Sequence, residues 1–223
     1  AHEIKNPLTP IKLAVQHVRR AWSDGRDDFG AILDRNVDAV LREIDRLGEI
    51  ARAFSRFGTP SEGGEALEPV DVRRVAEDTL ALYRGGDDGI DYALEMPDGA
   101  PPALAREGEL REVLVNLLEN ARAALNGEGG EVRIAASPAG GGAWVRLDVA
   151  DTGEGIAPEQ LPRIFEPRFS TRTSGTGLGL AIVRRMVESW GAGITVDSTP
   201  GRGTTVHLRL RAEPVPAEAQ PSS

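Results

Sequence analysis

A glycine-rich motif in the second half of the chain has the composition of a phosphate-binding loop. Residues 175–180 read Gly-Thr-Gly-Leu-Gly-Leu and lead directly into a predicted helix. Closely spaced glycines leave backbone N–H groups free to surround phosphate oxygens, and the N-terminus of a helix adds positive potential. A flexible loop would have the same composition, so this motif alone is weak evidence.

A second motif, at residues 151–156, follows a predicted strand and reads Asp-Thr-Gly-Glu-Gly-Ile. The carboxylate of Asp151 could accept a hydrogen bond from the exocyclic amine of a base. Gly153 and Gly155 would let that base approach the backbone closely. The alternative is an ordinary aspartate-containing turn.

Two asparagines, Asn116 and Asn120, are spaced to share one side of a helix. They lie opposite the apolar stripe of a helix predicted over residues 107–125. An amide oxygen is a neutral, hard ligand that suits Mg²⁺, which keeps most of its water ligands. A solvated polar helix face is the commoner fate of such a pair, and that alternative stays open.

A separate candidate for chemistry is the pair His2 and Glu3, at the start of the chain. With Ile4 at heptad position d, His2 falls at position b on the solvent side of the helix. Glu3 can accept the proton of one imidazole nitrogen and leave the other nitrogen as a nucleophile. His17 and His207 have no acidic neighbour in sequence, and we interpret them as structural.

Two heptad segments, joined by a turn at residues 23–28, predict an antiparallel helical hairpin. Their apolar positions are Ile4, Leu8, Ile11, Val15, Val18 and Trp22, followed by Leu33, Val37, Val40, Ile44, Leu47, Ala51 and Phe54. Such a hairpin leaves its seams uncovered. We therefore expect it to pair with a second copy as a homodimeric four-helix bundle.

The remainder of the chain predicts a mixed helix and strand domain. Helices are expected over 70–83, 107–125 and 178–190, and strands over 90–96, 131–137, 143–150, 194–197 and 204–210. This pattern favours an α/β sandwich with helices on one face of a mixed sheet, which makes the whole chain α+β. We expect a hairpin domain at 1–57, a linker at 58–66, the sandwich at 67–211 and a disordered tail at 212–223.

Composition restricts the class of protein. The chain has 223 residues, 40% of them hydrophobic, a net charge of −9 and no cysteine. The acidic balance argues against a nucleic-acid partner, and the lack of cysteine excludes disulfides and fits the cytoplasm. There is no apolar run of about 20 residues. Because Ala1 already reads as mid-helix, we expect upstream segments, and any membrane anchoring would have to lie there.

In this order and context, the motifs resemble the N, G1, F and G2 boxes of the ATP-binding domain shared by histidine kinases, DNA gyrase, Hsp90 and MutL. The F box is the Phe-Glu-Pro-Arg-Phe run at 165–169. The resemblance covers residues 67–211 and implies the Bergerat fold. It implies that Asp151 binds adenine, that Asn120 holds Mg²⁺, that residues 156–176 form a mobile lid, and that Arg168 and Arg172 contact phosphate. The implied nucleotide-binding set is Asn116, Asn120, Asp151, Gly153, Gly155, Ile156, Phe165, Arg168, Gly175, Thr176, Gly177, Leu178, Gly179 and Leu180.

Residues 1–10, Ala-His-Glu-Ile-Lys-Asn-Pro-Leu-Thr-Pro, resemble the H box of histidine kinases, especially the nitrogen-regulation type. This likeness implies that His2 is the phosphoacceptor, with Glu3 as its activator and Asn6 available for regulator dephosphorylation. Many histidine kinases carry Lys three residues after the metal-binding Asn, where this chain has Ala123. The nitrogen-regulation type also tends to lack that Lys, so we interpret Ala123 as a mark of subtype.

We therefore predict an ATP- and Mg²⁺-dependent histidine kinase that passes the phosphoryl group from His2 to an aspartate of a response regulator. Two alternatives remain: a phosphatase-biased protein acting through Asn6, and an ATP hydrolase related to gyrase. Gyrase-like enzymes have a water-activating Glu where this chain has Asn116, and an amide cannot take a proton from water. That difference favours the kinase.

Overall fold

The computed structural model describes residues 2–58, 66–85, 89–97, 100–170 and 177–213, without the side chains of 2–7 and 45–58. The chain divides into two compact units, Ala1–Gly63 and Gly64–Ser223, and each is described by itself. In the described ranges, no helix is both long enough and apolar enough to cross a membrane. Most of the expected linker, residues 59–65, lies outside the described part.

The first unit is the predicted helical hairpin, formed by α1, His2–Ser23, and α2, Phe29–Gly58. A tight turn joins the helices, and there Arg26 donates to Asp28 over 2.8 Å. This hydrogen bond holds the pKa of the Asp28 carboxyl below its usual range. Small and branched apolar residues at Ala14, Ala21 and Ile32 are buried, which lets the two helices pack closely.

An apolar groove of about 420 Å³ runs along one side of the hairpin. Val15, Val37 and Ile44, which belong to the predicted heptad seams, are 56%, 44% and 50% exposed. At the turn end, the rings of Trp22 and Phe29 pack edge to face with their centroids 5.3 Å apart. These three seam residues are therefore largely open to solvent in a single copy of the chain.

The second unit is a layer of helices on a sheet. The strands are β1 Glu68–Val70, β2 Ile90–Glu95, β3 Ala103–Ala105, β4 Gly130–Ala139, β5 Trp144–Asp151, β6 Gly193–Thr199 and β7 Gly203–Arg211, and the helices are α3 Val72–Leu80, α4 Glu107–Ala124 and α5 Gly179–Ser189. Within the described residues, five of these strands form one sheet in the order β2-β4-β5-β7-β6, with β2 and β4 parallel and the other pairs antiparallel. The mixed sheet and the α+β class confirm the predicted fold class.

Burial alternates along the strands and shows which face of the sheet the helices cover. On β5, Val145, Leu147 and Val149 are buried beneath the helices, while Arg146 and Asp148 lie on the other face. A strand places successive side chains on opposite faces, so this alternation marks one buried and one solvated face. Asp151, two residues beyond Val149, continues the covered side.

Three local expectations differ from the structure. The helix expected from Val70 begins at Val72, because Asp71 accepts a hydrogen bond from the Arg74 N–H and caps it. Val70 instead belongs to β1, which pairs with the unpredicted short strand β3. The disordered tail expected from residue 212 does not begin there, because the Ala212 N–H donates to the Ala143 carbonyl. Residues 214–223 lie outside the described part of the chain.

Candidate functional site

The asparagine pair lies on α4, facing the start of α5. The amide nitrogen of Asn116 donates to the Glu112 carbonyl over 2.9 Å, which leaves the amide oxygen for other partners. A Cβ at Gly179 would lie 3.3 Å from that oxygen and 4.0 Å from the amide oxygen of Asn120. Glycine at position 179 therefore keeps a narrow space between the two asparagines and the first turn of α5.

Gly177, two residues before α5, is held in place by the F box. Gly177 has a φ of +65°, and its carbonyl accepts a hydrogen bond from the Arg168 N–H over 2.8 Å. A Cβ at Gly177 would lie 2.6 Å from the carbonyl carbon of Arg168, so a larger residue does not fit. The two ends of the stretch 171–176, which itself lies outside the described residues, are thereby fixed to each other.

The F-box aromatics are covered by arginines. The guanidinium of Arg184, on α5, lies 5.5 Å from the centre of the Phe165 ring. The guanidinium of Arg163 lies 4.5 Å from the centre of the Phe169 ring. These cation–π contacts attach the F box to α5 on one side and to its own preceding turn on the other.

Asp151 ends β5, and its carboxylate is oriented by its own loop. One carboxylate oxygen accepts the Gly153 N–H over 2.9 Å. Gly153 in turn lies against the end of α4, where a Cβ would be 2.6 Å from the Ala124 carbonyl oxygen. The same carbonyl accepts the Glu154 N–H over 3.0 Å. The G1 loop is thus packed directly against the helix that carries the asparagines.

The other side of the G1 loop rests on the turn between β6 and β7. The Ser198 hydroxyl accepts the Ile156 N–H over 2.8 Å, and the Glu154 carbonyl accepts the Gly201 N–H over 2.8 Å. Gly155 has a φ of +69°, and a Cβ there would overlap the Thr199 carbonyl. The loop is therefore clamped between two elements.

Tyr83 supports the helix that carries the asparagine pair. Burial, and then the carboxylate of Glu119, raise the pKa of the Tyr83 hydroxyl well above its usual range. The hydroxyl therefore stays protonated and hydrogen-bonds to Glu119, which lies between Asn116 and Asn120 on α4. Tyr83 also packs against Tyr92, with ring centroids 5.8 Å apart.

The structure brings most of the predicted nucleotide-binding residues around α4 and α5. Leu178 caps α5 and Leu180 lies in its first turn. Gly175, Thr176 and Arg172 lie outside the described residues. The backbone of His2, Glu3 and Asn6 belongs to α1, but their side chains are not described, and they lie in the other unit.

Two features were not predicted. Ser198 contacts the G1 loop although 42 residues separate it from Ile156. His207, which has no acidic neighbour in sequence, lies 2.8 Å from a carboxylate oxygen of Asp148 and 3.0 Å from one of Asp197. These partners come from β5 and β6, on the solvated face of the sheet, and only strand pairing reveals them.

The residues of this cleft fit a magnesium ion and a nucleotide. Amide oxygens are hard, neutral ligands of the kind that Mg²⁺ accepts. The space that a Cβ at Gly179 would fill lies beside Asn116 and Asn120. It also adjoins the first turn of α5, where free N–H groups and the helix dipole favour phosphate.

Comparison with known proteins agrees with this geometry. Residues 105–214 match the family described as histidine kinase-, DNA gyrase B- and HSP90-like ATPase. The chain is 33% identical over 228 residues to the nitrogen regulation protein NtrY of Azorhizobium caulinodans, covering 100% of this chain and 29% of that protein. It is 37% identical over 208 residues to the sensor histidine kinase ZraS of Klebsiella oxytoca, covering 91% of this chain and 42% of that protein.

A solved structure of full-length ShkA in complex with AMPPNP superposes with a TM-score of 0.65 at 30% identity, covering 98% of this chain and 46% of ShkA. The chain spans less than half the length of each of these three relatives. The boxes on α4, β5 and α5, the family match and these likenesses agree on one assignment. The chain belongs to the sensor histidine kinases, and its second unit is their ATPase-like catalytic domain.

Proposed function

We propose that this chain is the core of an ATP-dependent protein histidine kinase in a two-component system, which moves the γ-phosphoryl group of ATP onto His2. The observation that carries the proposal is that α4 contacts both glycine-rich motifs. Its middle, at Asn116 and Asn120, faces Gly179 of the G2 box, and its end, at Ala124, packs on Gly153 of the G1 box.

Asp151 is the residue proposed to recognise adenine. Its carboxylate accepts the Gly153 N–H. An ionised carboxylate has about four acceptor sites, so it can also accept a hydrogen bond from the adenine amine. Guanine carries a carbonyl at the same place, and two acceptors would face each other. The carboxylate therefore selects ATP over GTP.

The phosphates are proposed to lie between the asparagine pair and α5. Asn120 would hold Mg²⁺, with the amide oxygen of Asn116 beside it, and the bound ion would neutralise charge that develops on the phosphate oxygens. Backbone N–H groups of Gly175, Gly177 and Gly179 would donate to the phosphates. Arg168 and Arg172 would contact phosphate from the lid, residues 156–176.

In the proposed reaction, an unprotonated imidazole nitrogen of His2 attacks the γ-phosphorus in line. A nitrogen–phosphorus bond forms, the bond between the γ-phosphorus and the β–γ bridging oxygen breaks, and ADP leaves with that oxygen. Glu3 accepts the proton of the other ring nitrogen. The phosphoryl group then passes to an aspartate carboxylate of a response regulator, which regenerates His2.

Asn116 favours this kinase over an ATP hydrolase. Its amide nitrogen is committed to the Glu112 carbonyl, and neither amide atom can act as a base toward water. Bound ATP is therefore not activated for hydrolysis before the imidazole arrives.

The hairpin is proposed to form a homodimer with a second copy of itself. The seam residues Val15 and Val37 line one apolar groove and are about half exposed, and Ile44, further along α2, is exposed to a similar degree. A heptad seam is complementary to another such seam, and a two-fold pairing would bury both grooves in a four-helix bundle.

Dephosphorylation of the regulator is a second candidate function. Asn6 lies four residues after His2 on the continuous helix α1, and hence one turn along the same side. Its amide could orient a water molecule toward a regulator phosphoaspartate bound over His2.

A label-position experiment tests the kinase proposal. The protein is incubated with Mg²⁺ and ATP labelled either at the α- or at the γ-phosphorus. We expect γ-label, and no α-label, on the protein, together with ADP as product. Release of labelled phosphate without any protein label would instead identify a hydrolase.

A further inference from the structure

Three polar residues form a row across the end of the sheet, on the face that the helices cover. Asp151 on β5 is the register partner of Thr204 on β7, and Thr204 is the partner of Ser198 on β6. Ser198 thus lies two strands away from Asp151, the residue proposed to bind adenine. Thr204 lies between them and is the register partner of both.

The hydroxyl of Ser198 has three neighbours at hydrogen-bond distance. They are the Gly203 carbonyl at 3.0 Å, the Thr204 hydroxyl at 2.9 Å and the Ile156 N–H at 2.8 Å. Since the carbonyl can only accept, Ser198 donates to Gly203, and it accepts from both Thr204 and Ile156. A hydroxyl has one donor and two acceptor sites, so every site is used.

These three bonds join the two ends of the adenine-binding segment. Gly203 lies beside the backbone of Asp151, where a Cβ on Gly203 would overlap the Asp151 carbonyl. Ile156 ends the G1 loop. The hydroxyl oxygen of Ser198 therefore bonds to Ile156, the last residue of the loop, and to Gly203, which lies beside Asp151, the first residue of the loop.

We propose that Ser198 is a positioning residue for adenine recognition: its hydroxyl holds the G1 loop so that the Asp151 carboxylate meets the adenine amine. This inference rests on the proposed nucleotide-binding function. Without the hydroxyl, the Ile156 N–H and the Gly203 carbonyl lose their shared partner, and the loop can move away from β6. Selection of ATP over GTP depends on the position of Asp151, so it weakens when the loop moves.

The test compares dissociation constants for ATP and GTP, measured by titration of the whole chain. Ser198→Ala is expected to lower the GTP-to-ATP ratio of dissociation constants about tenfold, because it loses the hydrogen bonds to the Ile156 N–H and the Gly203 carbonyl. Ser198→Thr keeps a hydroxyl and is expected to keep the ratio of the parent. Thr195→Ala is the matched control, because Thr195 lies on the same strand but on the solvated face.

The GTP-to-ATP ratio of dissociation constants separates a positioning role from general destabilisation, because destabilisation would weaken the binding of both nucleotides equally. A parent-like ratio in Ser198→Ala, or an equal loss of ATP and GTP binding, overturns the inference. If Ser198→Ala does not fold, Ser198→Cys replaces it under the same criteria, because a thiol of similar size is only a weak hydrogen-bonding group.

Asp151→Ala distinguishes this inference from the proposed function beneath it. It should abolish the preference for ATP more completely than Ser198→Ala does. If Asp151→Ala keeps the parent ratio, the adenine assignment fails and the inference fails with it. If only Ser198→Ala keeps the ratio, the adenine assignment stands and the role of Ser198 is wrong.

Discussion

At the scale of single residues, the site depends on positions where only one residue type fits. Glycine is required at Gly177 and Gly155 by positive φ together with close backbone neighbours. In the proposed site, the amides of Asn116 and Asn120 would supply oxygen ligands without the basicity that activates water. Substitutions at these positions should therefore change nucleotide binding rather than only the stability of the domain.

Asn120→Ala should remove the dependence of ATP binding on Mg²⁺. The parent should bind ATP more weakly, by about tenfold or more, when EDTA removes the metal. The variant should bind with the affinity of the metal-free parent whether or not Mg²⁺ is present. Titration of each protein with and without EDTA measures this, and a variant that still responds to Mg²⁺ would rule out Asn120 as the ligand.

Gly155→Ala should weaken ATP binding by about tenfold or more, while Gly201→Ala should not. Both glycines have positive φ, which costs an L-residue roughly 1–2 kcal/mol. A Cβ on Gly201 meets no atom within 4 Å, whereas one on Gly155 would overlap the Thr199 carbonyl and displace the G1 loop. Calorimetric titration with ATP separates the two variants, and equal affinities would show that the loop tolerates displacement.

At the scale of elements, a single helix, α4, would contact both ends of the proposed nucleotide. α4 buries Leu110, Leu114 and Leu118 completely against the sheet, which fixes the height and rotation of its polar face. At its N-terminal end, Glu109 accepts a hydrogen bond of 2.7 Å from the indole of Trp190, the residue that follows α5. The two helices that form the phosphate end of the cleft are therefore locked to each other.

Leu41→Glu combined with Ile44→Glu should convert a dimer of the chain into monomers. Both side chains are half exposed in the single chain, at 54% and 50%, and charges there would be buried in a paired bundle. Arg42→Glu, an exposed charge change between them, is the control and should leave the dimer intact. Light scattering gives the masses, and a monomeric parent would contradict the proposed pairing.

Sequence patterns predicted the long elements better than the short ones. Helix α4 was predicted over 107–125 and spans Glu107–Ala124, because its apolar repeat extends over five turns. Strands β1 and β3 have three residues each, too few to show an alternating pattern, and they are stabilised by pairing with each other.

The candidate site shows the same limit. Motif order predicts the candidate residues on α4, in the G1 loop and in the G2 box, because each motif is contiguous in the sequence. Ser198 was missed, because its contact with Ile156 arises from the pairing of β6 and β7 and from the loop that folds over their end. The partners of His207 were missed for the same reason.

At the scale of the whole molecule, the proposed nucleotide site and the proposed phosphoacceptor belong to different compact units. Binding of ATP and acceptance of the phosphoryl group should therefore be separable by mutation. Glu3→Gln should slow labelling by a factor of about 10²–10⁴, the usual contribution of a positioned base, without changing ATP affinity. Rate measurements by quenched labelling, paired with ATP titrations, would show this separation, and weaker ATP binding would contradict it.

The phosphorylated residue is the most direct test of the central claim. The intact protein that contains this chain, and its His2→Gln variant, are incubated with γ-labelled ATP and Mg²⁺. In the parent, we expect label that is lost in acid and retained in base, as for a phosphoramidate on imidazole, and the variant should carry none while still binding ATP. Label that persists in His2→Gln, or that resists acid as a serine ester does, would contradict the proposal.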